Sequence, residues 1–217
     1  MTGATLGRAK PAILRWLVGD LRFTIVSNNC WGAHIYQALG IAYRTPFVGL
    51  FIPPKSYVEL LRQFDYYVHC SLEFVDRSTE RHINAWRENE GLRYPIGLLG
   101  GAVEINFQHY ADEHEAREKW TRRCECLVRD PNRRYYKFDD REGTTDEGIR
   151  AFCALPLANR VCFTSRFHDA DTVVVPPAAD ESCVPDGVTL AACFRRYFNT
   201  MRWISRWPRA VPQPSLL

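Results

Sequence analysis

The sequence predicts an α/β domain of three layers, with helices on both faces of a mostly parallel or mixed sheet. Short apolar runs typical of buried strands alternate with longer segments whose apolar residues recur every three or four positions. No internal repeat is visible, and 217 residues are enough for one sizeable core. We therefore expect a single domain over residues 1–217, with its core at about 11–207 and a disordered tail at about 208–217.

The first third of the chain is predicted to alternate helices and strands. Apolar residues at helical spacing indicate the helices, and short apolar runs that stop at small polar residues or prolines indicate the strands. These patterns predict a helix over 11–21, a strand over 22–27, a helix over 33–39, a buried strand over 46–52 and a helix opened by the capping box Ser56-x-x-Glu59.

The middle third is predicted to contain a hairpin and the clearest helix of the chain. We expect a strand over 66–75, a polar surface excursion over 77–93, and two short strands over 94–99 and 103–108 that flank a turn at Gly100-Gly101. The helix begins at the capping box Asp112-x-x-Glu115 and carries an apolar stripe.

The last third repeats the alternation. The patterns predict a strand over 134–138, a helix opened by Thr144-x-x-Glu147, strands over 161–164 and 172–175, a loop over 176–187 and a final amphipathic helix over 188–207.

Composition and charge exclude several classes of protein. The net charge is only +3 and the basic residues are scattered, so we expect no nucleic-acid partner. The apolar run at 11–18 is interrupted by Arg15 and too short to span a bilayer, and it lacks a cleavage signature. A cytoplasmic protein with reduced cysteines is therefore expected.

The strand-to-helix turn at 27–32 is the predicted ligand site. In open α/β sheets, ligands bind at the carboxyl ends of strands, beside the free N–H groups that begin the next helix. Asn28 and Asn29 could bind a sugar hydroxyl or a phosphate oxygen, or could only satisfy the backbone of the turn. Ser27, Trp31 and Gly32 complete this predicted substrate-binding stretch.

Cys30 is the candidate nucleophile and His109 its candidate base. A cysteine in the first turn of a helix has a lowered thiol pKa in many proteins. His109, like Cys30, lies at a junction between a predicted strand and the helix that follows it. The alternative is that Cys30 packs in the core and His109 caps the helix that begins near Asp112.

Aromatic rings and two acidic stretches give further candidates. Trp31, Tyr36 and Tyr110 could stack on sugar rings, although core packing is the default for each. His168-x-x-Asp171 with Asp169, and Asp139-Asp140, could hold a divalent metal, but charged loops are commoner in such positions. No metal site is predicted, and the sequence does not identify a cofactor.

Several motifs together resemble a bacterial family, the domain of unknown function nineteen-nineteen, often labelled exopolysaccharide biosynthesis proteins. The resemblance covers about 20–205 and departs at 77–93 and in the tail. The matching stretches are 27–32, 45–53, Tyr94-Pro95-Ile96-Gly97, Ile105-x-Phe107-x-His109-Tyr110, Glu115-Ala116, Trp120-x-x-Arg123, Leu155-Pro156-x-x-Asn159-Arg160-Val161-x-Phe163-Thr164 and the region of Trp203.

The resemblance implies an α/β fold and a link to polysaccharide assembly, but no reaction. We expect a transferase that acts on a sugar or an activated, nucleotide-linked sugar donor, with glycosyl and acyl transfer both open. In that interpretation His109 is the general acid or base, and residues 27–30 cradle the donor. The alternatives are a non-catalytic carbohydrate- or nucleotide-binding accessory protein and a hydrolase that uses Cys30 covalently.

Overall fold

The computed structural model describes residues 3–168, 170–177, 181–192 and 196–205, with side chains from residue 11 onward. The helices and strands of this part of the chain are, in order, α1 (Gly3–Val18), β1 (Thr24–Ser27), α2 (Trp31–Leu39), α3 (Pro54–Arg62), α4 (Phe64–Tyr67), β2 (Leu72–Val75), α5 (Arg81–Asn89), β3 (Ile96–Leu99), β4 (Val103–Asn106), α6 (Glu113–Cys124), β5 (Arg134–Asp139), α7 (Asp146–Cys153), β6 (Arg160–Thr164), β7 (Val173–Val174), α8 (Gly187–Ala192) and α9 (Thr200–Ile204).

The strands form two sheets. The main sheet has the order β1-β5-β6-β7 and all of its pairs are parallel, with Ile25 opposite Tyr135 and Phe138 opposite Cys162. The small sheet has the order β2-β3-β4 and is antiparallel, with the predicted hairpin at its centre. The α/β class and the largely parallel sheet are thus confirmed.

Alternate residues of the main sheet face two separate cores, which places this sheet between two layers of helices. On β1, Ile25 packs into the core shared with α1, α2, α8 and α9, whereas Val26 packs into the core shared with α3, α6 and α7. On β5, Tyr135 packs into the same core as Ile25, and Phe138 packs into the same core as Val26. The three predicted layers follow from this period of two along the strands.

The predicted strand over 46–52 is wrong, because this segment follows the edge of β1 without pairing with it as a strand. Phe51 forms an isolated bridge with Asn106, at the end of β4. Three backbone oxygens in and just after β1 instead accept hydrogen bonds from groups outside the sheet. Thr45 Oγ1 donates to Ile25 O (2.7 Å), Tyr57 OH to Val26 O (2.8 Å) and Ile52 N to Asn28 O (2.8 Å).

Two predictions in the middle of the chain also need correction, and a third gains a helix. Ser56 does not cap α3, which begins at Pro54; its hydroxyl instead accepts a hydrogen bond from Glu104 N at 3.1 Å. The strand predicted over 66–75 shortens to β2, because its first residues belong to α4 and the following turn. The excursion predicted over 77–93 contains α5. The capping box of α6 is confirmed, since Asp112 Oδ1 accepts from Glu115 N at 2.8 Å.

The C-terminal predictions need smaller corrections. Thr145 rather than Thr144 caps α7, and its hydroxyl accepts a hydrogen bond from Gly148 N at 3.2 Å. The helix predicted over 188–207 consists of the separate helices α8 and α9 where it is described, and the predicted tail lies outside the described residues. Among the described residues, no helix has the length and apolar content that crossing a membrane requires.

Candidate functional site

The carboxyl ends of β1 and β5 lie side by side and present four polar residues to each other. Ser27, the last residue of β1, is opposite Lys137 in the parallel register. Asn28 and Asn29 follow directly on β1, and Asp139 ends β5. Four of these side chains are buried together, and we call them the Lys137 cluster: Asn28, Asn29, Lys137 and Asp139.

Every polar group of the Lys137 cluster bonds within the cluster. Lys137 Nζ pairs with Asp139 Oδ2 and donates to Asn28 Oδ1 at 3.2 Å and to Asn29 Oδ1 at 2.9 Å. Asn28 Nδ2 donates to Asp139 Oδ1 at 3.1 Å, and Asn29 Nδ2 donates to Asp139 Oδ2 at 2.8 Å. Four of these contacts therefore tie the end of β1 to the end of β5, and the fifth, between Lys137 and Asp139, lies within β5.

The electrostatics of the cluster favour a carboxylate at Asp139. Burial alone would raise the pKa of Asp139, but the Lys137 charge and the two asparagine amides outweigh burial and hold that pKa below its ordinary value. Burial lowers the pKa of Lys137, and the Asp139 charge opposes this effect. Both carboxylate oxygens accept hydrogen bonds within the cluster, and Asp139 is 0% exposed, so the carboxylate is not open to solvent.

Cys30 is the N-cap residue of α2 and is half-buried. Burial raises the pKa of the Cys30 thiol, and the lowering effects of Lys137 and the Gly49 backbone amide do not offset it. The pKa of Cys30 is therefore raised, whereas a thiol at the start of a helix was expected to have a lowered pKa. Within the described part of the chain, no hydrogen bond links the Cys30 thiol to the His109 imidazole.

Gly49 brings Cys30 and His109 to the same end of the main sheet. The Gly49 amide faces the Cys30 thiol, while Gly49 O accepts a hydrogen bond from His109 N at 3.0 Å. Gly49 has a φ of 71°, and a Cβ atom there would lie 3.3 Å from His109 Cβ and 3.3 Å from Tyr110 Cε2. The two predicted catalytic residues are thus both neighbours of Gly49.

Tyr110 is buried beside Gly49 and its hydroxyl is fully engaged. It donates to Val48 O at 2.6 Å and accepts from Arg123 Nη1 at 2.6 Å. The ring packs edge-on against Phe107, with 5.2 Å between centroids. Tyr110 therefore shapes the segment that carries Gly49, and its ring is not open for stacking on a sugar.

The other residues of the predicted turn pack α2 onto β1. The Trp31 ring is 1% exposed and packs against Phe163, and Trp31 N donates to Asn29 Oδ1 at 3.3 Å. A Cβ atom at Gly32 would lie 2.9 Å from Ile25 Cγ2 and 3.2 Å from Ser27 Cβ, so a glycine allows this close approach. Ser27 itself lies under α2, and Tyr36 is likewise a core residue.

The residues proposed as metal ligands lie apart where they are described. His168 Nδ1 is 3.8 Å from Asp146 Oδ1, whereas Asp171 Oδ2 is 3.9 Å from Arg160 Nη2. Asp169 lies outside the described residues. Over the described ranges, no three His, Cys, Asp or Glu side chains come close enough together to hold a metal ion.

Comparison with known sequences assigns the chain to a family. The sequence model of the family described as a domain of unknown function (DUF1919) matches residues 13–205. The chain belongs to the DUF1919 family. A relative from Haemophilus influenzae, named only as an uncharacterized protein, is 35% identical over 147 residues. That match covers 68% of this chain but only 64% of the relative, less than two thirds of its length.

Glu142 is a candidate site residue that the sequence reasoning missed. It follows β5 in a tight turn, where Thr144 N donates to Arg141 O at 3.0 Å and Glu142 and Gly143 have φ values of 58° and 79°. Glu142 is exposed as a whole, yet burial of its carboxyl and the nearby Asp139 charge raise the pKa of Glu142. Positive φ at a glutamate is uncommon and clusters at functional sites.

Glu142 lies between the Lys137 cluster and an open cleft of about 410 Å³. The first turns of α3, α5 and α7 converge on this cleft and contribute Lys55, His82 and Glu147 to its wall. The Glu142 charge also raises the pKa of Cys30, which places Glu142 near both the cleft and the predicted turn. A carboxyl of raised pKa beside cationic side chains can exchange a proton with one part of a ligand while the cations bind an anionic part.

Proposed function

We propose that this DUF1919 protein is a cytoplasmic transferase of exopolysaccharide biosynthesis that moves a sugar from a nucleotide-linked donor to an acceptor hydroxyl. The observation that carries the proposal is Glu142, a carboxyl of raised pKa held in a left-handed turn on the wall of the cleft. Raised carboxyl pKa values in clefts are typical of groups that exchange protons with substrates.

In this reaction Glu142 is the general base. It accepts the proton of the acceptor hydroxyl while that oxygen forms a bond to the anomeric carbon of the donor. The bond between this carbon and the donor phosphate breaks, and the phosphate leaves with the electron pair. Lys55, which has no ion-pair partner among the described residues, lies on the same cleft and would neutralise the leaving phosphate, while His82 on the same wall would hydrogen-bond to it.

The Lys137 cluster positions the site and does not contact substrate. Its four hydrogen bonds between the two strand ends hold the end of β5, and therefore the turn that carries Glu142, against the end of β1. The raised pKa of Cys30 supports glycosyl transfer over acyl transfer, because a protonated thiol is a poor nucleophile toward a thioester.

Glu142→Gln tests the proposal, with Glu147→Gln as the matched control on the same cleft. Nucleotide sugars, acyl-coenzyme A and divalent metals are first screened for an increase in melting temperature. With a nucleotide sugar that binds, Glu142→Gln should keep the shift but lose about 10²–10⁴-fold in release of nucleotide to an acceptor. Glu147→Gln should keep both the shift in melting temperature and the rate of nucleotide release.

The other outcomes separate the remaining classes. Binding of a nucleotide sugar without turnover in the wild-type protein would indicate an accessory binding protein. Turnover lost in Cys30→Ala, with a covalent adduct on Cys30 in the wild type, would indicate a cysteine-dependent enzyme. Full turnover in Glu142→Gln would show that Glu142 is not the base.

A further inference from the structure

Helix α1 exposes an apolar surface that no described part of the chain covers. Ile13 and Trp16 are 56% and 74% exposed, and they lie one turn apart on the same side of the helix. Leu14 and Val18, on the other side, are 2% and 0% exposed and pack into the core with α2 and α9. An indole ring that is three-quarters in water is unusual in a folded domain and indicates an interaction surface.

Helix α1 and the two helices that pack against it, α2 and α9, contain no acidic residue. Residues 1–58 contain a single acidic residue, Asp20, which already accepts a hydrogen bond from Arg22 Nε at 3.3 Å. Helix α9 packs against α1 and exposes Arg202 beside it. The charged residues of α1 are all basic, namely Arg8, Lys10 and Arg15.

We infer that α1 is a peripheral docking helix for the surface of an anionic lipid bilayer. A helix with exposed apolar and aromatic residues on one side and only basic charges can lie in the plane of the membrane interface. Trp16 and Ile13 enter the boundary between headgroups and acyl chains, where indole rings are favoured. Arg202 and the partly exposed Arg15 bind the lipid phosphates, an interaction that salt weakens.

The test is co-sedimentation of the full chain with vesicles of phosphatidylcholine, either alone or mixed with about an equal amount of phosphatidylglycerol. We expect binding to the anionic vesicles that falls at least about fivefold between about 50 and about 500 mM salt, and little binding to the neutral vesicles. Trp16→Ser should weaken binding to the anionic vesicles at least about fivefold. This variant should fold normally, since Trp16 is mostly in water.

Trp86→Ser is the matched control, because Trp86 is 44% exposed but lies on α5. It should bind the anionic vesicles as the wild type does. Equal binding to both kinds of vesicle, no binding to either, or an equal loss in the two tryptophan variants would overturn the inference. Concentration-dependent dimers in light scattering that Trp16→Ser abolishes would instead identify a second copy of the chain as the occupant.

Discussion

Lys137 and Asp139 form an ion pair with both side chains 0% exposed, two residues apart on the same face of β5. Successive residues of a strand face opposite sides, so a spacing of two puts the charges together. Asn28 and Asn29 supply the remaining hydrogen bonds from the neighbouring strand. The pair is therefore complete only when β1 and β5 are paired, and its geometry fixes the ends of both strands.

Lys137→Met should lower the free energy of unfolding by about 3–5 kcal/mol, because it leaves the Asp139 carboxylate buried without a cation. Urea denaturation of the wild type and the variant measures the difference. Lys119→Met is the control, since Lys119 also pairs with a carboxylate, Glu115, but on the partly exposed surface of α6. We expect only a small loss there. Equal losses in the two variants would show that the buried pair has no special role in stability.

Acid should destabilise the protein partly through Asp139. The pKa of Asp139 is lowered in the folded state, whereas in the unfolded chain it is about 3.9. The unfolded state therefore binds the proton first as pH falls, so this contribution is complete above about pH 5 and is lost through and below about pH 4. The free energy of unfolding should fall less steeply with acid in Asp139→Asn than in the wild type. Parallel curves would contradict the lowered pKa.

The sequence was informative where local pattern decides the structure. Strand β1 is an apolar run that ends at Asn28, and α6 begins at Asp112 with its capping box, so both could be placed. The segment 46–52 was misassigned because its apolar residues are buried beside the β1 edge without forming a ladder. A short apolar run shows that a segment is buried, but it does not show whether that segment pairs as a strand.

The site depended on contacts that no local pattern contains. Lys137 was missed because a lysine within a strand is normally assigned to the solvent face, and its burial follows from pairing with a strand 110 residues away. Glu142 was missed because its left-handed φ belongs to the turn. Its position directly before Gly143 and after the Asp139-Asp140 strand end is the signal that could have identified it.

Gly49→Ala should destabilise the protein and disturb the neighbourhood of Cys30 and His109. A left-handed alanine costs roughly 1–2 kcal/mol, and the new methyl group would press on His109 and Tyr110 at 3.3 Å. Gly101→Ala separates the two effects, because its φ is 70° but no atom lies within 4 Å of the new Cβ. Denaturation should show a larger loss for Gly49→Ala. Equal losses would mean that backbone strain explains the whole effect.

Cys30 should react with iodoacetamide more slowly than Cys153 at pH 7.5, although both cysteines are half-buried. Burial raises the pKa of Cys30, whereas a hydrogen bond from the Cys162 thiol lowers the pKa of Cys153 and leaves more thiolate there. Mass spectrometry of digested peptides measures both rates in one sample. Cys162→Ala removes the donor and should slow Cys153 while leaving Cys30 unchanged. If Cys30 proved the faster of the two, its surroundings would favour the thiolate, and a covalent mechanism at Cys30 would replace base catalysis by Glu142 as the leading hypothesis.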